Sequence, residues 1–136
     1  MVSMMLLRHV PRASRELAAG QWRTVMTDPA VPFGGVLAGR TMGIVGFGEI
    51  GSQVAVLARA LGMRVRAVRH SGRAAEGVEW MGTSAQLPEL LRTSDIVVAT
   101  VPLSEKTRGL LDSEALAAMS RRHLVNVARG AWWTSR

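Results

Sequence analysis

The chain has no cysteine. A disulfide framework and a thiolate metal site are both excluded, so any redox chemistry must be carried by a bound cofactor. Such a chain suits a reducing compartment, and the cytoplasm is the expected location. Lysine is nearly absent too: 16 of the 17 basic residues are arginine, and Lys106 stands alone. Against 10 acidic residues this leaves a net charge of +7, a balance that suits anionic partners. The arginines are spread along the whole chain, aromatic residues make up 4%, and no zinc-finger or helix-turn-helix spacing is present. A nucleic-acid partner is therefore not expected, and the arginine bias reads as codon usage in a GC-rich genome. Long apolar runs are also missing. The opening MVSMMLL is cut by Arg8, His9 and Pro11 before a signal-peptide core or a membrane span is complete, so the chain is read as soluble with no membrane partner. His9, His70 and His123 stand far apart with no acidic residue at ligand spacing. No metal site is expected, and each histidine reads as a surface or packed side chain.

What is present is room for one domain: 136 residues with 48% hydrophobic side chains can enclose a core but not two of ordinary size. Residues 4–19 carry apolar positions compatible with a helix that Pro11 kinks or restarts and Gly20 stops. Residues 21–40 are rich in proline and glycine and read as a linker, with Trp22 as an apolar anchor. From Thr41 the pattern changes. MGIVG is a short continuous apolar run suited to a strand buried on both faces of a parallel sheet. A helix over Ile50 to Leu61 follows, with Ile50, Val54, Leu57, Ala58 and Leu61 expected to face the core and Gly62 as its cap. A strand over 63–69, a loop over 70–83, a short helix over 84–91 and a buried strand over 95–100 come next. A helix over 113–119, capped by Asp112 or Ser113, precedes a strand over 123–127. The alternation predicts an α/β fold, a Rossmann-type doubly wound parallel sheet of about four strands, incomplete, with an N-terminal helix.

The strongest local signal is Gly46-Phe47-Gly48-Glu49-Ile50-Gly51, a G-x-G-x-x-G directly after an expected strand and opening an expected helix. In that context Gly46 permits the turn, Gly48 lets the backbone approach a pyrophosphate, and Gly51 lets the helix pack close to the strand. The helix N-terminus offers free N–H groups to the phosphates. Methyltransferases use a related turn whose third glycine falls one position earlier, which disfavours S-adenosylmethionine. In NAD-binding versions an acidic residue about 20 residues on accepts the ribose hydroxyls. Here Arg69 holds that place, 18 residues past Gly51, followed by His70, Ser71 and Arg73. A guanidinium cannot accept those bonds but can clamp a 2′-phosphate, so NADP is favoured over NAD. The alternative is that Arg69 and Arg73 are solvated loop arginines on a chain rich in them.

The runs LAGRTMGIVGFGEIGSQVAVLARALGMRV (37–65), SDIVVATVPLSEKTRGLLDSEALAAM (94–119) and LVNVARGA (124–131) resemble, in that order, the cofactor domain of D-isomer-specific 2-hydroxyacid dehydrogenases. The resemblance implies hydride transfer between a nicotinamide and a 2-oxo or 2-hydroxy acid. It implies Glu49 and Ile50 along the pyrophosphate, Arg69 at the adenosine ribose, Val101 and Pro102 beside the cofactor, and Val127 and Ala128 at the nicotinamide end. It implies Arg129 as the arginine that orients substrate, a role that suits a planar guanidinium beyond the carboxyl end of a parallel strand. The alternative for Arg129 is a carboxylate or helix-terminus partner inside the fold. Pairing into a homodimer is also what the resemblance implies.

The departures carry expectations of their own. The acid/base histidine of such enzymes and its acidic partner would fall on segments this chain does not include, so the chain alone is expected to be inactive, and a non-catalytic dinucleotide-binding or scaffold module is the alternative function. The domain division expected is 1–36 interdomain helix and linker, 37–131 partial dinucleotide-binding domain, and 132–136 an aberrant tail. After ARGA, such enzymes usually continue Val-Val-Asp-Glu. The Trp132-Trp133-Thr134-Ser135 found here is what codons for that run encode after loss of one G, so a frameshift is the expected origin of the tail. Truncation would leave strand 123–127 as an exposed edge and the two tryptophans on the surface.

Overall fold

The computed structural model describes residues 1–22, 27–29, 35–102, 104, 105, 107, 109–119 and 123–128. Arg129, the tail with Trp132 and Trp133, and residues 23–26 and 30–34 of the expected linker lie outside the described residues. The chain divides into two units, Met1–Leu37 and Ala38–Arg136.

In the first unit the single helix expected over 4–19 is two, α1 (Val2–Leu7) and α2 (Val10–Ala18). The break falls at His9, which turns the chain at φ 54°. Pro11 sits in the first turn of α2, where a missing N–H leaves no helical bond unmade, so it restarts the helix rather than kinking it. Arg12 on α2 bonds Glu16 at 2.7 Å and Asp28 at 2.8 Å. These two bonds, Glu16 first, raise its pKa above the ordinary arginine value. Trp22, expected as an apolar anchor, is 74% exposed.

The second unit runs β1 (Thr41–Val45), α3 (Glu49–Ala60), β2 (Arg64–Val68), β3 (Trp80–Gly82), α4 (Leu87–Thr93), β4 (Ile96–Ala99), α5 (Ser113–Ala118), β5 (His123–Asn126). All pairings are parallel and the order is β3-β2-β1-β4-β5. Among the described residues the sheet has five strands, close to the four or so expected. The additional one, β3, lies inside the expected 70–83 loop. It is only three residues long, and Trp80 lies under the Arg66 guanidinium of β2 at 4.4 Å. At the other side β5 is the edge among the described strands, as expected.

Helices cover both faces. A Cβ on Gly43 of β1 would come within 2.8 Å of Ser94 Cβ and 3.3 Å of Leu90 Cγ, so that face meets α4. The neighbouring Ile44 points the other way, toward Gly51 of α3. On the α4 side, Val45, Val68, Leu87, Leu90, Leu91, Val97 and Leu111 belong to one buried cluster. Burying a leucine such as Leu90, which is fully enclosed, stabilises the fold by roughly 1.5–3 kcal/mol. Asp112 caps α5, its side chain accepting from the Ala115 N–H at 2.8 Å.

The expected core stripe of α3 is corrected. The buried residues are Gly51, Ala55 and Ala58. Ile50, Leu57 and Leu61 are 57%, 64% and 46% exposed, and Val56 beside them 60%. Close approach of helix to sheet selects small side chains for the contact, and the large ones turn outward. No helix among the described residues is long and apolar enough to cross a membrane.

Candidate dinucleotide site

β1 is buried along its whole length and delivers the chain into Gly46 at φ 91°. That positive φ requires glycine, and a Cβ there would also come within 2.6 Å of Val101 Cγ1. The turn is fixed from two sides: the Gly46 N–H donates to Val68 O of β2 at 2.9 Å, and the Thr100 hydroxyl at the end of β4 donates to Gly46 O. Gly51 sits directly against the turn, since a Cβ on it would overlap the Gly46 carbonyl oxygen and approach Ile44 Cγ2 to 3.2 Å. Gly48, the N-cap of α3, differs: a Cβ on it would meet nothing within 4 Å. The backbone there faces open space at a helix N-terminus, the arrangement that binds a phosphate group.

In chain order β3 is followed by α4 and β4, and β4 lies on the opposite side of β1 from β2 and β3. The reversal of strand order opens a crevice at the carboxyl ends of β1 and β4, where open α/β sheets take ligands. A cleft of about 570 Å³ occupies that place. Its walls include Gly46 and Gly48 from the turn, Arg69 and His70 after β2, and Val101 and Pro102 after β4. Val68, Leu87 and Leu110 add an apolar floor. The residues present therefore fit a dinucleotide: an apolar slot for a flat ring, a helix N-terminus without a side chain in the way, and the Arg69 guanidinium at one end.

Arg69 is the most elaborated of the expected residues. The turn Arg69–Gly72 closes with the Gly72 N–H donating to Arg69 O at 3.1 Å, Gly72 taking φ 60°. The Arg69 Nη2 donates to the carbonyls of Arg73 and, at 3.2 Å, Ala74, while its buried Nε has no partner among the described residues. Its guanidinium lies 5.8 Å from the centre of the Phe47 ring. Arg73 is exposed on the same loop.

The other expected residues fall elsewhere. Glu49 and Ile50 are exposed in the first turn of α3, and Val127 is 52% exposed after β5. The Val127 N–H donates to Ala99 O at 3.1 Å and the Ala128 N–H to Asn126 Oδ1 at 2.7 Å. None of these four residues is on the cleft wall described above. Sequence reasoning did not single out Phe47, Thr100 or Thr107, all of which line the cleft. Thr107 donates to Pro102 O at 2.7 Å and accepts from the Ser104 N–H at 2.8 Å, holding the loop after β4. Only the polar ending of DIVVAT hinted at Thr100.

A five-stranded parallel sheet with its switch point between β1 and β4, and a glycine turn feeding a helix there, defines a Rossmann-type dinucleotide-binding domain. The chain belongs to the D-isomer specific 2-hydroxyacid dehydrogenase family, matching the model of its NAD binding domain over residues 1–135. Among curated relatives, the D-3-phosphoglycerate dehydrogenase of Bacillus subtilis is 37% identical over 128 residues, covering 92% of this chain and 23% of that protein. The glyoxylate reductase of Thermococcus kodakarensis is 37% identical over 126 residues, covering 90% and 38%. Among solved structures, the NADPH-dependent glyoxylate/hydroxypyruvate reductase of Sinorhizobium meliloti in complex with NADP and sulfate superposes with TM-score 0.78 at 29% identity, covering 96% of this chain and 40% of that one. The NAD-dependent formate dehydrogenase of Staphylococcus aureus in complex with NAD gives 0.80 at 26% identity, covering 96% and 38%. The chain thus spans between 23% and 40% of the length of these proteins.

Proposed function

We propose that this chain is the cofactor-binding part of an oxidoreductase that moves hydride between a nicotinamide dinucleotide and a 2-oxo or 2-hydroxy acid. The observation that carries the reading is the glycine turn: a fixed Gly46, open space in front of Gly48, and the N-terminus of α3 all meet at the switch point of the sheet. The pyrophosphate lies against that turn, with Val101 and Pro102 along the cofactor and Arg69 at the adenosine ribose. Val127 and Ala128 stand toward the nicotinamide. When bound, the dinucleotide supplies the hydride donor or acceptor. Arg129, three residues past the end of β5 in sequence, orients the substrate carboxylate.

NADP is the preferred form. A carboxylate that would accept the ribose hydroxyls is replaced by Arg69, and Arg73 adds a second guanidinium on the same loop. Both suit a 2′-phosphate and neither suits a bare hydroxyl. The outward apolar face of α3 supports pairing of two copies, and the cysteine-free composition supports a reducing cytoplasm. The test is calorimetric titration of the purified chain with NADPH and NADH, with Arg69→Asp alongside. Tighter NADPH binding that the substitution reverses is the expected result. Binding of neither cofactor overturns the cofactor reading, and an unchanged preference in Arg69→Asp overturns the role of Arg69.

A further inference from the structure

Phe47 occupies a variable position of the glycine turn, and its backbone is held there by the bonds that fix Gly46 to β2 and β4. Its half-buried ring shares the cleft wall with Arg69, and the Arg69 guanidinium lies over it at 5.8 Å. That distance falls within the reach of a cation–π interaction, in which the negative ring face attracts the delocalised positive charge. The same guanidinium is held at a second point by the Arg73 and Ala74 carbonyls. Two supports on different parts of the chain, one of them on the glycine turn, hold a side chain that would otherwise sample many rotamers.

We propose that Phe47 is a positioning residue for Arg69, and that through this stacking it sets the discrimination between phosphorylated and unphosphorylated adenosine ribose. The inference rests on the reading of Arg69 as the 2′-phosphate residue. An arginine already held in place loses less freedom when it clamps a phosphate, so the ring strengthens NADPH binding and leaves NADH binding unaffected. A ring that merely filled space between turn and loop would be replaced without effect by an aliphatic side chain of similar bulk.

The test is the ratio of NADH to NADPH dissociation constants in wild type, Phe47→Leu, Phe47→Tyr, Arg69→Ala and the Phe47→Leu/Arg69→Ala double variant, with thermal unfolding to establish that each is folded. Phe47→Leu is expected to lower the preference for NADPH by about two- to five-fold, the range of an exposed cation–π contact. Phe47→Tyr, which keeps the ring face, restores it, and Phe47→Leu has no effect on the ratio once Arg69 is alanine. A ratio that falls in Arg69→Ala but not in Phe47→Leu overturns the inference and leaves the reading of Arg69 standing. Equal weakening of both cofactors by Phe47→Leu also overturns it, assigning the ring to the turn itself. A ratio unchanged by Arg69→Ala overturns both.

Discussion

Alanine at Gly48 and alanine at Gly51 separate binding from folding at the glycine turn. At Gly51 the new methyl overlaps the Gly46 carbonyl oxygen, which accepts from the Thr100 hydroxyl in a residue whose N–H donates to Val68 O, and it crowds Ile44 Cγ2 at 3.2 Å. Overpacking of this kind costs about 1–3 kcal/mol. The gain in helix propensity from glycine to alanine returns up to about 1 kcal/mol. The steric term wins, and Gly51→Ala loses about 1–2 kcal/mol, a fall of roughly 5–15 °C in unfolding midpoint for a domain of this size. At Gly48 the methyl meets nothing within 4 Å, and φ −104° is open to alanine. The weaker N-cap is offset by the reduced freedom of the unfolded chain, so stability stays within about 0.5 kcal/mol of wild type. The methyl projects into the space assigned to the pyrophosphate, and NADPH affinity falls at least about ten-fold, or roughly 1.4 kcal/mol. Circular-dichroism melting and calorimetry together read both effects. A Gly51→Ala protein as stable as wild type, or a Gly48→Ala protein that binds as wild type does, refutes the reasoning for that position.

Other substitutions test the rest of the account. Leu90→Ala empties a fully enclosed site between α4 and β1 and is expected to lose about 2–5 kcal/mol in urea unfolding; a loss below 1 kcal/mol would show that the site collapses freely. Asp112→Ala removes the α5 cap and is expected to cost about 0.5–2 kcal/mol, with faster amide exchange at Ala115, its hydrogen-bond donor. Leu57→Glu places a charge on the outward face of α3 at a residue 64% exposed. Light scattering should find two copies paired in wild type and separated in the variant, with unfolding within about 0.5 kcal/mol of wild type when measured as monomer; a monomeric wild type contradicts the pairing.

Much of the fold was legible because β1 and β4 are short continuous apolar runs, and only a parallel sheet covered on both faces makes such runs necessary. The glycine turn was legible for a different reason: its spacing is imposed by backbone geometry, at Gly46 by φ and at Gly51 by contact with Gly46 itself. The strand β3 was not, since Trp80, Met81 and Gly82 carry no alternation, and what holds them is a ladder to β2 and a cation above Trp80. The buried stripe of α3 was misread because periodicity finds apolar stripes without saying which one faces the sheet. Ala58 of the expected stripe is buried, but bulk favoured Ile50, Leu57 and Leu61 beside it, whereas contact distance required Gly51 and Ala55. Phe47 was passed over because its position in the motif accepts many residues. Its meaning depends on Arg69, 22 residues further on, which only the folded chain brings beside it.

The central claim is that a nicotinamide dinucleotide lies in the cleft with its pyrophosphate on the glycine turn. Amide resonances of the chain titrated with NADPH test it residue by residue. The account predicts the largest shifts at Gly46 to Gly51, at Arg69 to Arg73 and at Thr100 and Val101, with α1 and α2 unmoved. Shifts centred on any other surface, or none at saturating NADPH, would contradict it.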